Sequence, residues 1–203
     1  MKRIFALFFA LTLSGCSVFN DTAPALSAAQ VNLGWTTHQA KLGTLSNWSI
    51  SGKLAIFINE DRETANLYWK QQGENYSIQL TSFIGTRILS IKKTPQGVEI
   101  INHEGDKFAG QNTEQLIESI TPGLHLPISS LQQWIKGNPV NASYSLNSQN
   151  KLDRLIGSDT NNGLWEINYQ QYQTFSNVAL PRKLDLKRDN LRLKIAINQW
   201  QLN

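Results

Sequence analysis

Trp48-Ser49-Ile50-Ser51-Gly52-Lys53-Leu54-Ala55-Ile56-Phe57-Ile58 is the stretch from which the fold can be read. Trp48, Ile50, Gly52, Leu54, Ile56 and Ile58 share one face and Ser49, Ser51 and Lys53 the other, the period of a half-buried strand. Asn59-Glu60-Asp61-Arg62 turns the chain, after which Ala65, Leu67 and Trp69 alternate with Thr64, Asn66 and Lys70. A second turn, Gln72-Gly73-Glu74-Asn75, leads to Tyr76, Ile78 and Leu80. Links this short join antiparallel neighbours.

The same alternation predicts strands over 88–93, 98–102 and, past the hairpin signal His103-Glu104-Gly105-Asp106, around 107–109. Asn112 with Gln115 three residues on caps a helix whose apolar side is Leu116, Ile117 and Ile120, and Thr121-Pro122-Gly123 ends it. Pro127 opens a second helix with Ile128, Leu131, Trp134 and Ile135 on one face and Gly137 just past its end. Strands resume over 142–146, 151–157, 164–172, 182–187 and 191–201. Upstream, Val31, Trp35, His38, Leu42 and Leu45 keep a helical spacing, on which His38 reads as a packing residue. The chain is therefore expected to be mainly β with a few short helices: about eleven strands in one meandering antiparallel sheet, with the helices on one face.

The N-terminus has a different grammar. Lys2 and Arg3 precede an apolar run from Ile4 to Leu13, and Leu13-Ser14-Gly15-Cys16 follows. Charged start, short apolar run and small residues before a cut make a secretory signal. The cysteine at the cut makes it resemble a bacterial lipoprotein box, in which Cys16 is acylated and becomes the first mature residue. Residues 1–15 are thus expected to be a signal peptide, 16–30 an acylated N-terminus and flexible tether, and 31–203 a single domain. An apolar run of about ten residues is too short to span a bilayer as a helix, which needs ~20. Ser17 stands where enteric-type lipoproteins retained in the inner membrane carry Asp, which implies the outer membrane, periplasmic face, as destination.

Without Lys2 and Arg3, 17 of the 19 basic residues remain against 15 acidic ones, a balance that does not point to nucleic acid. Cys16 is the only cysteine, so neither a disulfide framework nor a free thiol nucleophile is expected. His38, His103 and His125 show no metal-ligand spacing, and no nucleophile elbow, phosphate loop or dinucleotide fingerprint occurs. His103 beside Glu104 and Asp106 reads as a solvated hairpin tip. An enzyme is not expected, nor a metal or cofactor.

Taken in order, the landmarks resemble the LolB family of outer-membrane lipoprotein receptors. They are the lipobox; Trp35-x-x-His38; Ala65-Asn66-Leu67-Tyr68-Trp69-Lys70-Gln71 with Tyr76-Ser77-Ile78-Gln79-Leu80; and Phe83-Ile84-Gly85-Thr86. Further on come Leu126-Pro127-Ile128, Leu131-x-x-Trp134-Ile135-x-Gly137, Trp165-Glu166-Ile167-Asn168-Tyr169, Leu180-Pro181 and Trp200. The resemblance implies an incomplete antiparallel β-barrel with a helical lid, LolA/LolB-like, around an apolar cavity. It also implies a monomer that accepts lipoprotein acyl chains from the periplasmic carrier LolA and releases them into outer-membrane lipid.

Two sites follow as expectations. Thr81-Ser82-Phe83-Ile84-Gly85-Thr86 sets two bulky apolar residues beside a glycine in a turn, where polar residues are usual. By residue type alone they either fold back into the core or protrude. By resemblance Ile84 matches a protruding family leucine that takes part in membrane insertion of cargo, so Phe83, Ile84 and Gly85 form a membrane-insertion loop; the family often has Pro-Leu-Gly there. The acyl-chain cavity is expected to be lined by Leu54, Ile56, Leu67, Trp69, Ile78 and Leu80, by Trp134 from the lid, and by Trp165, Ile167, Leu193 and Ile195. Competing readings are a binder of another amphiphile, a structural envelope lipoprotein whose apolar faces are simply core, and a hydrolase.

Overall fold

The computed structural model describes residues 28–159 and 162–203, with side chains from residue 34 onward. Cys16, the signal segment and most of the expected tether lie outside the described residues. The described chain begins with α1 (Ala28–Thr44), which starts ahead of the expected residue 31. It continues through β1 (Asn47–Ile58), β2 (Asp61–Gln72), β3 (Asn75–Thr81), β4 (Arg87–Thr94), β5 (Gly97–Ile101) and β6 (Lys107–Gly110). Two short helices follow, α2 (Thr113–Ile120) and α3 (Ile128–Trp134). The last strands are β7 (Ser143–Leu146), β8 (Leu152–Ser158), β9 (Leu164–Phe175), β10 (Val178–Arg188) and β11 (Leu191–Leu202).

All eleven strands form one antiparallel sheet in the order β6-β5-β4-β3-β2-β1-β11-β10-β9-β8-β7. Two meanders therefore meet where the first strand pairs with the last. The sheet does not close: β6 and β7 are its two edges, and at four residues each they are too short to template much further pairing. Because α2 and α3 lie between those edges in sequence, the chain crosses from one edge to the other over one face of the sheet, which gives the incomplete barrel its lid. Asn112 caps α2 as its type and place require, its Oδ1 accepting the Gln115 N–H at 2.9 Å.

The inner face of the sheet carries the core: Trp48, Ile50 and Leu54 of β1, Leu67 and Trp69 of β2, and Leu193, Ile195 and Ile197 of β11 are all buried. Trp200 lies one step off the alternation of β11, yet it is buried too. A register slip between Ser51 and Gly52 explains this: Ser51 pairs with Gln199 and Gly52 with Ile197, so Asn198 is an extra residue and Trp200 returns to the inner face. The slip needs Gly52, where a Cβ would stand 2.1 Å from the Ala196 carbonyl oxygen.

The β9–β10 hairpin is longer than expected, and β9 runs to Phe175 rather than to residue 172. β10 begins at Val178 rather than at residue 182, because Pro181 sits at a register irregularity between Pro181 and Lys183. A bulge tolerates a residue with no N–H to give the ladder. The Pro181 carbonyl is used instead by Trp200, whose Nε1 donates to it at 2.9 Å.

Candidate functional site

Between the inner face and α3 lies a small cavity with wholly apolar walls. β1, β2, β3, β4 and β11 supply Leu54, Leu67, Trp69, Ile78, Leu80, Leu89, Ile91, Leu193 and Ile195, and the lid segment supplies Leu126, Ile128 and Leu131. Alternation turns these strand residues inward, and the helical spacing of Ile128 and Leu131 turns both toward them. Its volume is about 40 Å³, against ~300–1,000 Å³ for typical small-molecule sites.

Polar ties around the rim hold the lid down. The Trp69 indole donates to Gln71 Oε1 at 3.0 Å, and Gln71 Nε2 reaches Gln132 Oε1 of α3 at 3.3 Å. Glu114 of α2 accepts the Ser129 N–H at 2.7 Å, and Tyr169 donates its hydroxyl to the Trp134 carbonyl at 2.8 Å. The Tyr76 and Thr113 hydroxyls lie 2.6 Å apart, and burial is the chief cause that raises the Tyr76 phenol to about 12. Lys136, just past α3 and 2% exposed, donates its ammonium to the Leu45 and Leu42 carbonyls of the α1 end at 2.8 and 3.2 Å. Burial lowers its pKa to about 8.

Seven of the eleven expected cavity residues line this space: Leu54, Leu67, Trp69, Ile78, Leu80, Leu193 and Ile195. Four do not. Ile56 is half-buried near the open end of β1, opposite Leu193 and Glu63. Trp134 is packed over Gly157, where a Cβ would stand 2.7 Å from its ring, and borders a separate surface hollow with Ala142 and Gln133. Trp165 and Ile167 are fully buried on β9, away from this space, Trp165 donating its indole N–H to Asp159 at 3.1 Å. Leu89, Ile91, Leu126, Ile128 and Leu131 line the cavity without having been expected there; the clean alternation of Leu89 and Ile91 was the available signal.

The turn between β3 and β4 protrudes. Phe83 is 92% and Ile84 73% exposed. Its base is closed by hydrogen bonds, from Gly85 N to the Ser82 carbonyl at 3.0 Å, from Ser82 N to the Thr86 carbonyl at 2.8 Å and from Thr86 N to Ser82 Oγ at 3.1 Å. Asn66 of β2 donates to the Ser82 carbonyl at 2.8 Å. Gly85 has a φ of +88°, which glycine adopts without strain. The turn is thus ordered by Ser82 rather than by a proline. At the same end of the sheet, at the start of β9, Leu164 is a further exposed apolar residue.

The histidines form no centre. His38 packs beside Trp35 with ring centroids 5.9 Å apart, and burial together with Lys151 and Lys41 lowers its pKa to about 4. His103 is exposed in the β5–β6 turn, and His125 pairs with Glu118 at 2.8 Å. Among the described residues no three His, Cys, Asp or Glu side chains are grouped to hold a metal ion.

Solved structures share this fold. A LolA superfamily protein from Nitrosomonas europaea superposes with a TM-score of 0.56 over 85% of this chain and 93% of its own, at 6% identity. A DUF1329 family protein from Desulfovibrio piger gives 0.54 over 85% and 93%, at 7% identity. Those identities speak for the fold alone. Sequence decides the family: residues 46–200 match the family model described as "Outer membrane lipoprotein LolB". The chain belongs to the LolB family. The outer-membrane lipoprotein LolB of Psychromonas ingrahamii is 44% identical over 196 residues, covering 97% of this chain and 94% of that one. Those of Aeromonas hydrophila and Vibrio cholerae are 36% and 30% identical, covering 100% and 95% of this chain and 97% and 92% of theirs. Membership makes the chain one of a family of outer-membrane lipoproteins.

Proposed function

We propose that the chain is an outer-membrane receptor, anchored through acylated Cys16, that accepts lipoprotein acyl chains from the periplasmic carrier LolA and delivers them to outer-membrane lipid. The observation that carries this reading is the pairing of a wholly apolar cavity under a lid with an exposed Phe83–Ile84 turn. Moving acyl chain into water costs ~0.8 kcal/mol per CH₂, on the order of 12 kcal/mol for a ~16-carbon chain. A receiver must therefore offer continuous apolar surface, and the inner face of β1–β4 and β11 supplies it. At about 40 Å³ the space is occupied by the protein's own side chains. Uptake then requires Leu126, Ile128 and Leu131 to part from the sheet, exchanging their contacts for those of the incoming chain. That exchange keeps the apolar walls dry in both states. It also lets a difference of ~1.4 kcal/mol from the carrier set a tenfold direction of transfer. Delivery is a partition step: no bond is made or broken, and no cofactor or metal is called for. Ile84, helped by Phe83, dips into the bilayer at the point of release, worth roughly 1.5–3 kcal/mol for one such side chain.

The test uses the mature chain carrying Cys16→Ala, mixed with a lipoprotein–LolA complex and read by native mass spectrometry. The expected result is cargo on the Cys16→Ala chain. Cargo left wholly on LolA overturns the receptor reading.

A further inference from the structure

The outer face of the sheet carries a charge pattern that the cavity does not explain. On the four central strands, cross-strand registers bring Lys53, Arg62, Lys183, Lys187, Arg192 and Lys194 onto one panel. Two acids face these cations: Asp185, which the Arg192 guanidinium holds from both carboxylate oxygens with its Nε at 2.8 Å from Oδ1, and Glu166 of β9, which stands opposite Lys187 at the panel's edge and pairs with Arg154. Phe57 lies at the centre, with Arg62, Lys194 and Arg192 at 5.4, 5.7 and 6.0 Å from its ring centroid. A shallow groove of about 440 Å³ runs beside it over Ala55 and Ala196. Lys187 stands between Arg192 of β11 and Glu166 of β9, which leaves Lys53, Arg62, Lys183 and Lys194 as the cations that face outward beside the groove. A sheet that served only to close a cavity would not gather its cations here.

We infer that this panel is a docking surface for anionic phospholipid headgroups, so that the receptor rests its outer flank on the bilayer. The flanks of the panel identify the occupant. In the strand order the panel lies between β3, which leads into the Phe83–Ile84 turn, and β9, which begins with the exposed Leu164. The turn is tied to the panel's edge: Asn66, which donates to the Ser82 carbonyl, stands opposite Lys53. Cations bracketed at one end by protruding apolar side chains suit an interface with an anionic surface above and hydrocarbon beneath. An acidic protein surface would offer no place for the apolar side chains on both sides. Glu60 and Asp189 lie in the neighbouring turns and Asp61 opens β2 beside them, so the contact is with the flank below them and the molecule lies tilted. Each basic group near an anionic leaflet adds attraction that falls off within a Debye length.

This inference rests on the reading that the turn meets the bilayer, and the test separates the two. The mature chain carrying Cys16→Ala, so that the acyl anchor does not dominate, is floated with vesicles of phosphatidylcholine alone or mixed with phosphatidylglycerol. The mixed vesicles should bind it more tightly, by roughly tenfold or more at low salt, and salt should abolish the gain in the unsubstituted panel. Lys53→Glu with Lys194→Glu should reduce binding to the phosphatidylcholine level, while Lys53→Arg with Lys194→Arg should keep the gain. Ile84→Glu should weaken binding to both vesicle types alike; if it does not, the turn reading fails while the panel's stands. Equal binding to the two vesicle types, or a gain indifferent to salt, overturns the inference. So does a charge-reversed chain that floats normally but no longer takes cargo from LolA, which would make the panel a protein-docking face.

Discussion

Trp48 and Trp200 meet with ring centroids 5.4 Å apart because β1 and β11 slip register by one residue between them. Trp69 lies at the same distance on the other side of Trp48, and Tyr76 6.1 Å beyond Trp69. The row of rings spans the seam at which the two meanders join. Gly52 permits the slip that places Trp200 in the row.

Gly52→Ala should therefore be among the most damaging small substitutions in the chain. Its Cβ would meet the Ala196 carbonyl oxygen, a backbone atom that moves only if the seam moves. A loss of about 2–4 kcal/mol in urea unfolding is expected, with a weaker near-ultraviolet tryptophan signal. A loss below about 0.5 kcal/mol would show that the seam has another register open to it.

Ile84→Glu should leave stability unchanged to within about 0.5 kcal/mol, since the side chain makes little contact with the fold. Uptake of cargo from LolA should persist and delivery to liposomes should slow. Delivery at the unsubstituted rate would mean that the turn has no part in release.

Leu131 bridges lid and sheet, so its truncation separates a cavity that opens from a sealed core. Leu131→Ala should cost about 2–5 kcal/mol and increase binding of an apolar fluorescent dye. Leu131→Trp should block the space and lower the yield of cargo captured from LolA. Unchanged capture by a folded Leu131→Trp chain would place the acyl chains elsewhere.

His38 should make the fold acid-sensitive. Its pKa in the folded chain, about 4, lies below the ordinary 6.5. The unfolded chain then takes up the proton first, so the neutral ring's contribution is complete above pH 6.5 and is lost as pH falls toward 4. That loss is on the order of 3 kcal/mol. Melting temperatures of the unsubstituted and His38→Gln chains should converge as the pH drops through this window. Parallel curves would show that the ring is not held neutral by burial.

Much of the fold is legible in the residues because its links are short. Turn signals such as Gln72-Gly73-Glu74-Asn75 and the alternation on either side fix neighbouring strands without any long-range information. The start of β10 was not legible: Pro181 argues against a strand unless a bulge receives it, and that bulge depends on β9. The cavity was half legible. Alternation states that Leu54, Ile56 and Ile58 share a face, but it does not say where along the strand the lid will sit. Ile56 fell outside for that reason, and Trp134 was drawn away by the space over Gly157.

Residue type and spacing alone determined the antiparallel meanders and the two short helices of the lid, and the order of the landmarks carried the resemblance to the family. Type and spacing also placed two apolar residues in the β3–β4 turn, but not whether those would fold back or protrude. Tertiary structure decided that, through the Ser82 and Asn66 hydrogen bonds that close the turn's base and turn Phe83 and Ile84 outward. It decided as well that β1 pairs with β11, and with that which lysines and arginines share a panel and which leucines face the lid. The physical reason is separation along the chain. Local propensity and pattern act over a few residues, whereas Lys53 and Ala196, or Trp48 and Trp200, become neighbours only when burial of the two meanders' common apolar face brings the ends of the domain together.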